Sequence, residues 1–248
     1  MAIYITGDVH GDWISRLNMN AFPEQKEMTK DDYVIILGDM GIWDDSKREN
    51  YNLDWLEERS FTTLFIDGNH ENFDILDTLS VKEWHGGKVS FIRPSVIHLK
   101  RGQVFEIDGK KIFAFGSASS HDIKDGILDW FDDRDLIKKW RKDPTKLFRI
   151  DHVSWWAREL PSDDEMEEGI KNLEKHDWKV DYILTHSPSA SVIALLGHGL
   201  YEQDILTRYL EDIRCKTEFK KMFSGHMHLN KQLNDKDILL YEQIVRIV

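Results

Sequence analysis

Cysteine is nearly absent from the sequence: of 248 residues, only Cys215 carries a thiol. No intrachain disulfide can form, and a thiolate metal cage is excluded. Long apolar runs are missing too. No stretch approaches the roughly 18 consecutive apolar residues that a membrane-spanning helix needs, so no membrane partner is expected. The opening segment, Met1 to Thr6, has neither a basic start nor a long apolar core, and it reads as a first strand rather than a secretion signal. Together with the scarcity of cysteine, this makes a cytoplasmic location the expectation. Positive charge is also short, with 33 Lys and Arg against 45 Asp and Glu and a formal net charge of -12. Such a balance argues against broad, sequence-independent nucleic-acid binding, which needs basic surface to displace counterions. It leaves room for a small anionic substrate if bound cations invert the local field. Repeats and low-complexity linkers are lacking, so residues 1–248 read as one domain.

What the chain does contain is a series of apolar runs that end in polar loops. Ala2 to Thr6 runs into Gly7-Asp8-Val9-His10-Gly11, and Tyr33 to Leu37 into Gly38-Asp39. Thr62 to Ile66 runs into Asp67-Gly68-Asn69-His70-Glu71, Val180 to Leu184 into Thr185-His186, and Phe219 to Phe223 towards Gly225-His226-Met227-His228. Helical patterns over Asp12 to Asn20 and Lys47 to Arg59 separate the first three runs. Strand, loop and helix in repetition predict a parallel sheet with right-handed crossovers. From His85 to Phe115 the runs become short and alternating, with a hairpin signal at Asp108-Gly109, and predict a meander extending into a second sheet. Gly116 to Ile150 is polar with scattered aromatics and reads as an insertion over the site, with a helix around Asp135 to Arg141. Ser162 and Glu165 form a capping box opening a helix to about His176; another helix is expected from Glu202 to Ile213, and a strand-like tail from Ile238 to Val248.

The loops gather Asp8, His10, Asp39, Asn69, His70, Glu71, His186, His226 and His228 at the carboxyl ends of strands, where open α/β sheets place their ligand sites. Oxygen and imidazole donors without thiols suit Mn, Fe or Zn, and the set is large enough for two ions. Two ions about 3.5–4 Å apart clamp a phosphoryl group and activate water. Taken singly, Asp8-Val9-His10-Gly11 and Gly38-Asp39 read as ordinary turns and His186 as a structural histidine, while Gly225-His226-Met227-His228 is more specific, since alternate positions of an extended segment face one way. The weight lies in five strand ends, in order, all bearing metal-type donors.

In that order, Asp8-Val9-His10, Gly38-Asp39, Gly68-Asn69-His70-Glu71, His186 and Gly225-His226-Met227-His228 resemble the full signature of the calcineurin-like metallophosphoesterases. The resemblance implies a two-sheet α/β sandwich flanked by helices, with a dinuclear metal site at the carboxyl ends of the strands. It implies that Asp8, His10, Asp39 and His228 hold one divalent ion and that Asp39, Asn69, His186 and His226 hold the second, Asp39 bridging; Mn is favoured. It also implies that His70 protonates the leaving oxygen, with Glu71 orienting that imidazole, as a metal-bound hydroxide attacks phosphorus in line. One departure stands out. The protein phosphatases of this family continue their second motif with Asp-Arg-Gly, whereas Met40-Gly41 follows Asp39 here. The phosphate-binding arginine is missing at that place, which counts against a phosphoprotein substrate.

Substrate contacts are sought in the hydroxyl-rich segment after Phe115, at Ser119 and His121, which reads equally as a helix-capping turn. Arg158, beside Trp155-Trp156, is a candidate replacement for the missing clamp. Lys138, Lys139, Arg141, Lys142, Lys146 and Arg149, interleaved with Trp140 and Phe148, read as a solvated face rather than a grip for nucleic acid. The expected activity is metal-dependent hydrolysis, as a phosphatase or phosphodiesterase, of a small phosphoester or nucleotide. A nuclease is the alternative, decided by the shape of the 116–150 segment. A non-catalytic scaffold would need neither the bridging Asp39, the amide of Asn69 nor His70.

Overall fold

Strands form where the apolar runs are uninterrupted, because a strand covered on both faces has no polar side to present. In the computed structural model, which describes residues 1–197 and 203–248, β1 (Ile3–Thr6), β2 (Tyr33–Leu37) and β3 (Thr62–Ile66) are buried at every position. The helices α1 (Trp13–Leu17), α2 (Lys47–Glu57) and α3 (Phe73–Leu76) follow them in turn. Next come β4 (Val81–Trp84), β5 (Gly87–Arg93), β6 (Val96–Leu99), β7 (Gln103–Ile107) and β8 (Lys110–Phe115). A segment with β9 (Gly126–Leu128), α4 (Arg134–Trp140) and β10 (Phe148–Ile150) precedes α5 (Asp163–Lys175). The chain ends with β11 (Tyr182–Thr185), α6 (Ala190–Gly197), α7 (Ile205–Lys216), β12 (Lys221–Ser224), β13 (Lys231–Gln232), β14 (Asp237–Leu239) and β15 (Ile244–Arg246).

Two large sheets result. One runs β15-β1-β2-β3-β6-β5-β4, the other β13-β14-β12-β11-β8-β7. Both are parallel in the middle and antiparallel at the edges. Alternation along each strand decides which layer a side chain joins. Ile35 and Leu37 of β2 meet Phe105, Ile112, Leu184 and Phe223 between the sheets. Val34 and Ile36, one position out of step, pack with Trp13, Leu17, Leu53 and Leu56 of α1 and α2 on the outer face. On the far side, Phe113, Phe115 and Ile183 pack with Leu173 of α5 and Leu206, Leu210 and Ile213 of α7. The architecture is therefore an α/β sandwich of two sheets flanked by helices.

Three local expectations need adjusting. The meander divides: β5 and β6 pair antiparallel within the first sheet, where β6 lies parallel to β3, and only the β7–β8 hairpin belongs to the second. Its turn has positive φ at both Asp108 (51°) and Gly109 (68°), the backbone that Asp-Gly favours. The tail is also two strands, β14 in one sheet and β15 in the other. The helix expected from Glu202 begins at Ile205, capped by the Asp204 carboxylate on the Thr207 N–H; Glu202 itself lies outside the described residues. The capping box of Ser162 and Glu165 forms as the sequence predicts. Residues 126–150 carry a small core of their own, with Leu128, Ile137 and Ile150 buried together. Among the described residues, no helix is long and apolar enough to cross a membrane.

Candidate metal centre

Parallel pairing brings the carboxyl ends of β1, β2 and β3 to one edge of the first sheet, and those of β11 and β12 to the same edge of the second. The loops must then turn sharply to aim their side chains at one point. His10 (φ 50°), Asp39 (46°), His226 (63°) and His228 (48°) all take up the left-handed backbone, uncommon for non-glycine residues and concentrated at functional sites. Glycine is required beside them at two places. At Gly38, itself at φ 92°, a Cβ would run into the His186 ring, and at Gly68 it would strike the Asp39 carboxylate.

Asp8, His10, Asp39 and His228 each offer one ligand atom, all within 4.8 Å of one another. The His228 Nε2 lies 3.1 Å from Asp8 Oδ2 and 3.1 Å from His10 Nε2, and His10 Nδ1 lies 3.8 Å from Asp39 Oδ2. On the other side of Asp39, His186 Nε2 approaches Asp39 Oδ1 at 3.5 Å and Asn69 Oδ1 at 3.2 Å. His226 stands edge-on to His186, ring centroids 5.0 Å apart, and its backbone N–H donates to both Asp8 oxygens.

The hydrogen bonds around these ligands determine which atoms face inward. His186 donates Nδ1–H to the Leu37 carbonyl at 2.7 Å, which leaves the Nε2 lone pair pointing at Asp39 and Asn69. Asn69 donates its amide nitrogen to Ser120 Oγ at 3.2 Å, which turns its oxygen towards His186. A lone pair, a carboxylate oxygen and an amide oxygen thus converge with no proton to share. Acceptors packed in this way fit a cation, and oxygen with imidazole fits a divalent metal. Burial opposes ionisation of Asp8, but His186, His228 and the His226 N–H outweigh it and hold the carboxyl at about 2. Burial pushes His10 down and His226 well down, towards the neutral imidazoles that metals bind, whereas the hydrogen bond to Asp8 pushes His228 up.

His70 is placed beside this cluster. Its backbone N–H donates to Asp39 Oδ1 at 2.8 Å, and its ring lies 5.5 Å from that of His10. Its Nε2 faces a guanidinium nitrogen of Arg149 at 3.5 Å, and burial pushes the imidazole down. Arg149 was expected on a solvated face. Instead it is half-buried, held by Asp122 at 2.7 Å and turned to His70. Its position depends on how residues 117–156 pack, which a run of basic residues does not reveal.

Glu71 does not stand behind the His70 ring. Its fully buried carboxylate accepts the backbone N–H groups of Met40 (2.6 Å), Gly41 (3.2 Å) and Ile42 (3.3 Å). It braces the loop that carries Asp39. Arg158 is not brought to the cluster either: its side chain binds Asp77 and Glu165 and lies over Phe73, so its charge is already matched. His121 does join the cluster, its Nε2 2.9 Å from that of His226, and Ser119 lines a small recess beside the same pair. Trp156 is buried, with its indole N–H on Asp74. Sequence reasoning missed Ser120 and Glu159. The Ser120 hydroxyl donates to the buried Glu159 carboxylate at 2.7 Å while accepting from Asn69. It also missed Trp43, whose indole N–H donates to the His70 carbonyl at 2.9 Å. Trp43 follows the Asp39 loop and Ser120 lies within the hydroxyl-rich segment after Phe115, but nothing in the sequence marks Glu159.

A family model described as calcineurin-like phosphoesterase matches residues 1–230. Among solved structures, a phosphopantetheinyl hydrolase from Mycobacterium tuberculosis matches at 15% identity and a TM-score of 0.45, over 97% of this chain and 88% of that one. No curated protein sequence matches.

Proposed function

Because the chain belongs to the calcineurin-like phosphoesterase family, we propose that it hydrolyses a small phosphoester or nucleotide with two divalent ions bound, manganese being the preferred metal. Phosphoester hydrolysis that depends on metal is what the family implies; the two-ion count, the metal and the substrate are this reading's own. The observation that carries it is the convergence of the His186, Asn69 and Asp39 acceptors on one side of Asp39, opposite Asp8, His10 and His228 on the other. Asp8, His10, Asp39 and His228 would hold one ion, and Asp39, Asn69, His186 and His226 the other. Bound divalent ions supply charge neutralisation for a phosphoryl group and a lowered pKa for water.

The remaining work falls to this chain's own groups. Arg149 is a fixed cation at the rim and binds a non-bridging phosphoryl oxygen, taking the place of the arginine absent after Asp39. His70 is the group placed to protonate the leaving oxygen once its ring has taken up a proton; in the free protein burial holds the ring neutral and its Nε2 accepts from Arg149. Glu71 keeps the Asp39 loop in place, and Ser120 keeps the Asn69 amide turned inward. A small substrate is favoured over nucleic acid because part of the basic run 138–149 is already taken up: Lys138 with Asp135, Lys146 with Asp125 and Arg141 over Trp130.

The test is a panel of phosphomonoesters, phosphodiesters, cyclic nucleotides and single-stranded nucleic acid, run with Mn, Fe and Zn. Turnover of a small phosphoester with Mn is expected. If protein with bound metal turned over nothing on the panel, or cleaved only nucleic acid, the reading would fail.

A further inference from the structure

A cleft of about 390 Å³ opens beside the cluster and shares His10 with it as a wall. Its volume is in the range that takes a small organic group. Trp43 forms its largest apolar surface. The indole is fixed at one end by its N–H on the His70 carbonyl (2.9 Å), and its six-membered ring lies so close to Gly11 that an added Cβ would touch it. The Trp43 backbone N–H is tied to Glu49 Oε2 at 2.7 Å. Despite these restraints the side chain is 44% exposed. A rigid aromatic face left open to solvent is what a stacking platform requires, since little freedom is lost when a flat ring settles on it.

The rest of the cleft fits the same ligand. Ile14, itself 38% exposed, adds a second apolar surface, and Asn52 also lines the wall. Arg48 lines it without an ion pair among the described residues, and Asp12 and Asp44 line it too. A rigid aromatic platform with a second apolar side chain, rimmed by polar groups that can donate and accept and lying next to a phosphoester site, describes the surroundings of a nucleobase.

We propose that this cleft binds the nucleoside part of the substrate, with the base stacked on Trp43, so that the substrate is a nucleoside phosphate. The proposal rests on the hydrolase reading for the position of the phosphoester, but its binding test does not. Adenosine and ribose are titrated calorimetrically into the full chain. Adenosine should bind at least about tenfold more tightly than ribose, and Trp43→Leu should remove most of that difference, in line with the worth of base–aromatic stacking. Trp43→Phe, which keeps a ring, should retain the preference, and thermal melts establish that both variants fold. Equal affinity for adenosine and ribose, or adenosine binding unaltered in folded Trp43→Leu, overturns the proposal. Hydrolysis of small phosphoesters without Trp43-dependent adenosine binding removes the cleft assignment alone. Trp43-dependent adenosine binding without any hydrolysis keeps the cleft and removes the hydrolase reading.

Discussion

Arg149 and His70 are 79 residues apart in the chain, yet the guanidinium lies 3.5 Å from the imidazole Nε2. The residues after the second motif, Met40-Gly41-Ile42-Trp43, include no arginine. If Arg149 supplies that charge, Arg149→Ala should lower kcat/KM for the best phosphoester about a hundredfold, the usual worth of a preorganised donor at a charged transition state. Metal content should stay the same, and Arg149→Lys should recover part of the loss by restoring charge without the planar fork. Full activity in the alanine variant would remove Arg149 from the reaction.

His70 and Asp39 should separate cleanly. His70→Gln is expected to slow turnover about a hundredfold or more, the common contribution of a positioned acid, with metal content retained. Asp39→Asn should abolish turnover and lower metal content, because Asp39 faces His10 on one side and His186 on the other. Metal analysis beside steady-state kinetics checks both, and loss of metal from His70→Gln would move that residue into the ligand set.

The relay from Glu159 through Ser120 to Asn69 fixes which end of the Asn69 amide faces His186. Ser120→Ala frees the amide to rotate. Affinity for the ion on that side should fall about tenfold, as when an outer partner of a metal ligand is removed. Titration of the metal-free protein with Mn measures it, and an unchanged isotherm would reduce the relay to ordinary packing.

Glu211 joins α7 to α6 by accepting the Ser191 N–H (2.9 Å) and hydroxyl (2.7 Å). Burial pushes its carboxyl up, but the Ser191 bonds prevail and bring it from the usual 4.5 down to about 2. A folded-state pKa below the unfolded one gives stability that is present above the unfolded value, here about 4.5, and lost as pH falls towards about 2. Urea midpoints measured at pH 6 and pH 3 should therefore differ less in Glu211→Gln than in the unaltered chain. An equal difference would mean that other carboxylates set the acid limb.

Much of this molecule is legible from its residues. The bounds of β2 and β3 coincide with the apolar runs Tyr33 to Leu37 and Thr62 to Ile66, because continuous burial leaves no other reading. The polar loops after β1, β2, β3, β11 and β12 announce a shared site, since unpaired donors at the ends of buried strands have no structural use in such number. What the residues do not announce is which groups meet across the fold. Glu71 looks like a partner for His70 because it is adjacent in sequence, but its carboxylate satisfies the N–H groups of residues 40–42. Arg158 looks like a free clamp until Asp77, 81 residues away, is seen to hold it. The strand β4, Val81-Lys82-Glu83-Trp84, is an exposed edge with too little apolar character to show.

The division of the ligands between the sheets has a mechanical meaning. Asp8, His10, Asp39 and Asn69 follow strands of one sheet; His186, His226 and His228 follow strands of the other. Bound ions would therefore fasten one layer to the other, in a chain whose lone thiol permits no internal disulfide. Chelation should lower the melting temperature, since a ligand present at a thousand times its Kd stabilises the native state by about 4 kcal/mol. Melts recorded with and without chelator measure this, and equal midpoints would show that the ions do not brace the layers. With the expected drop, the centre is the inorganic counterpart of a disulfide, a cross-link that can form only once the two sheets have come together.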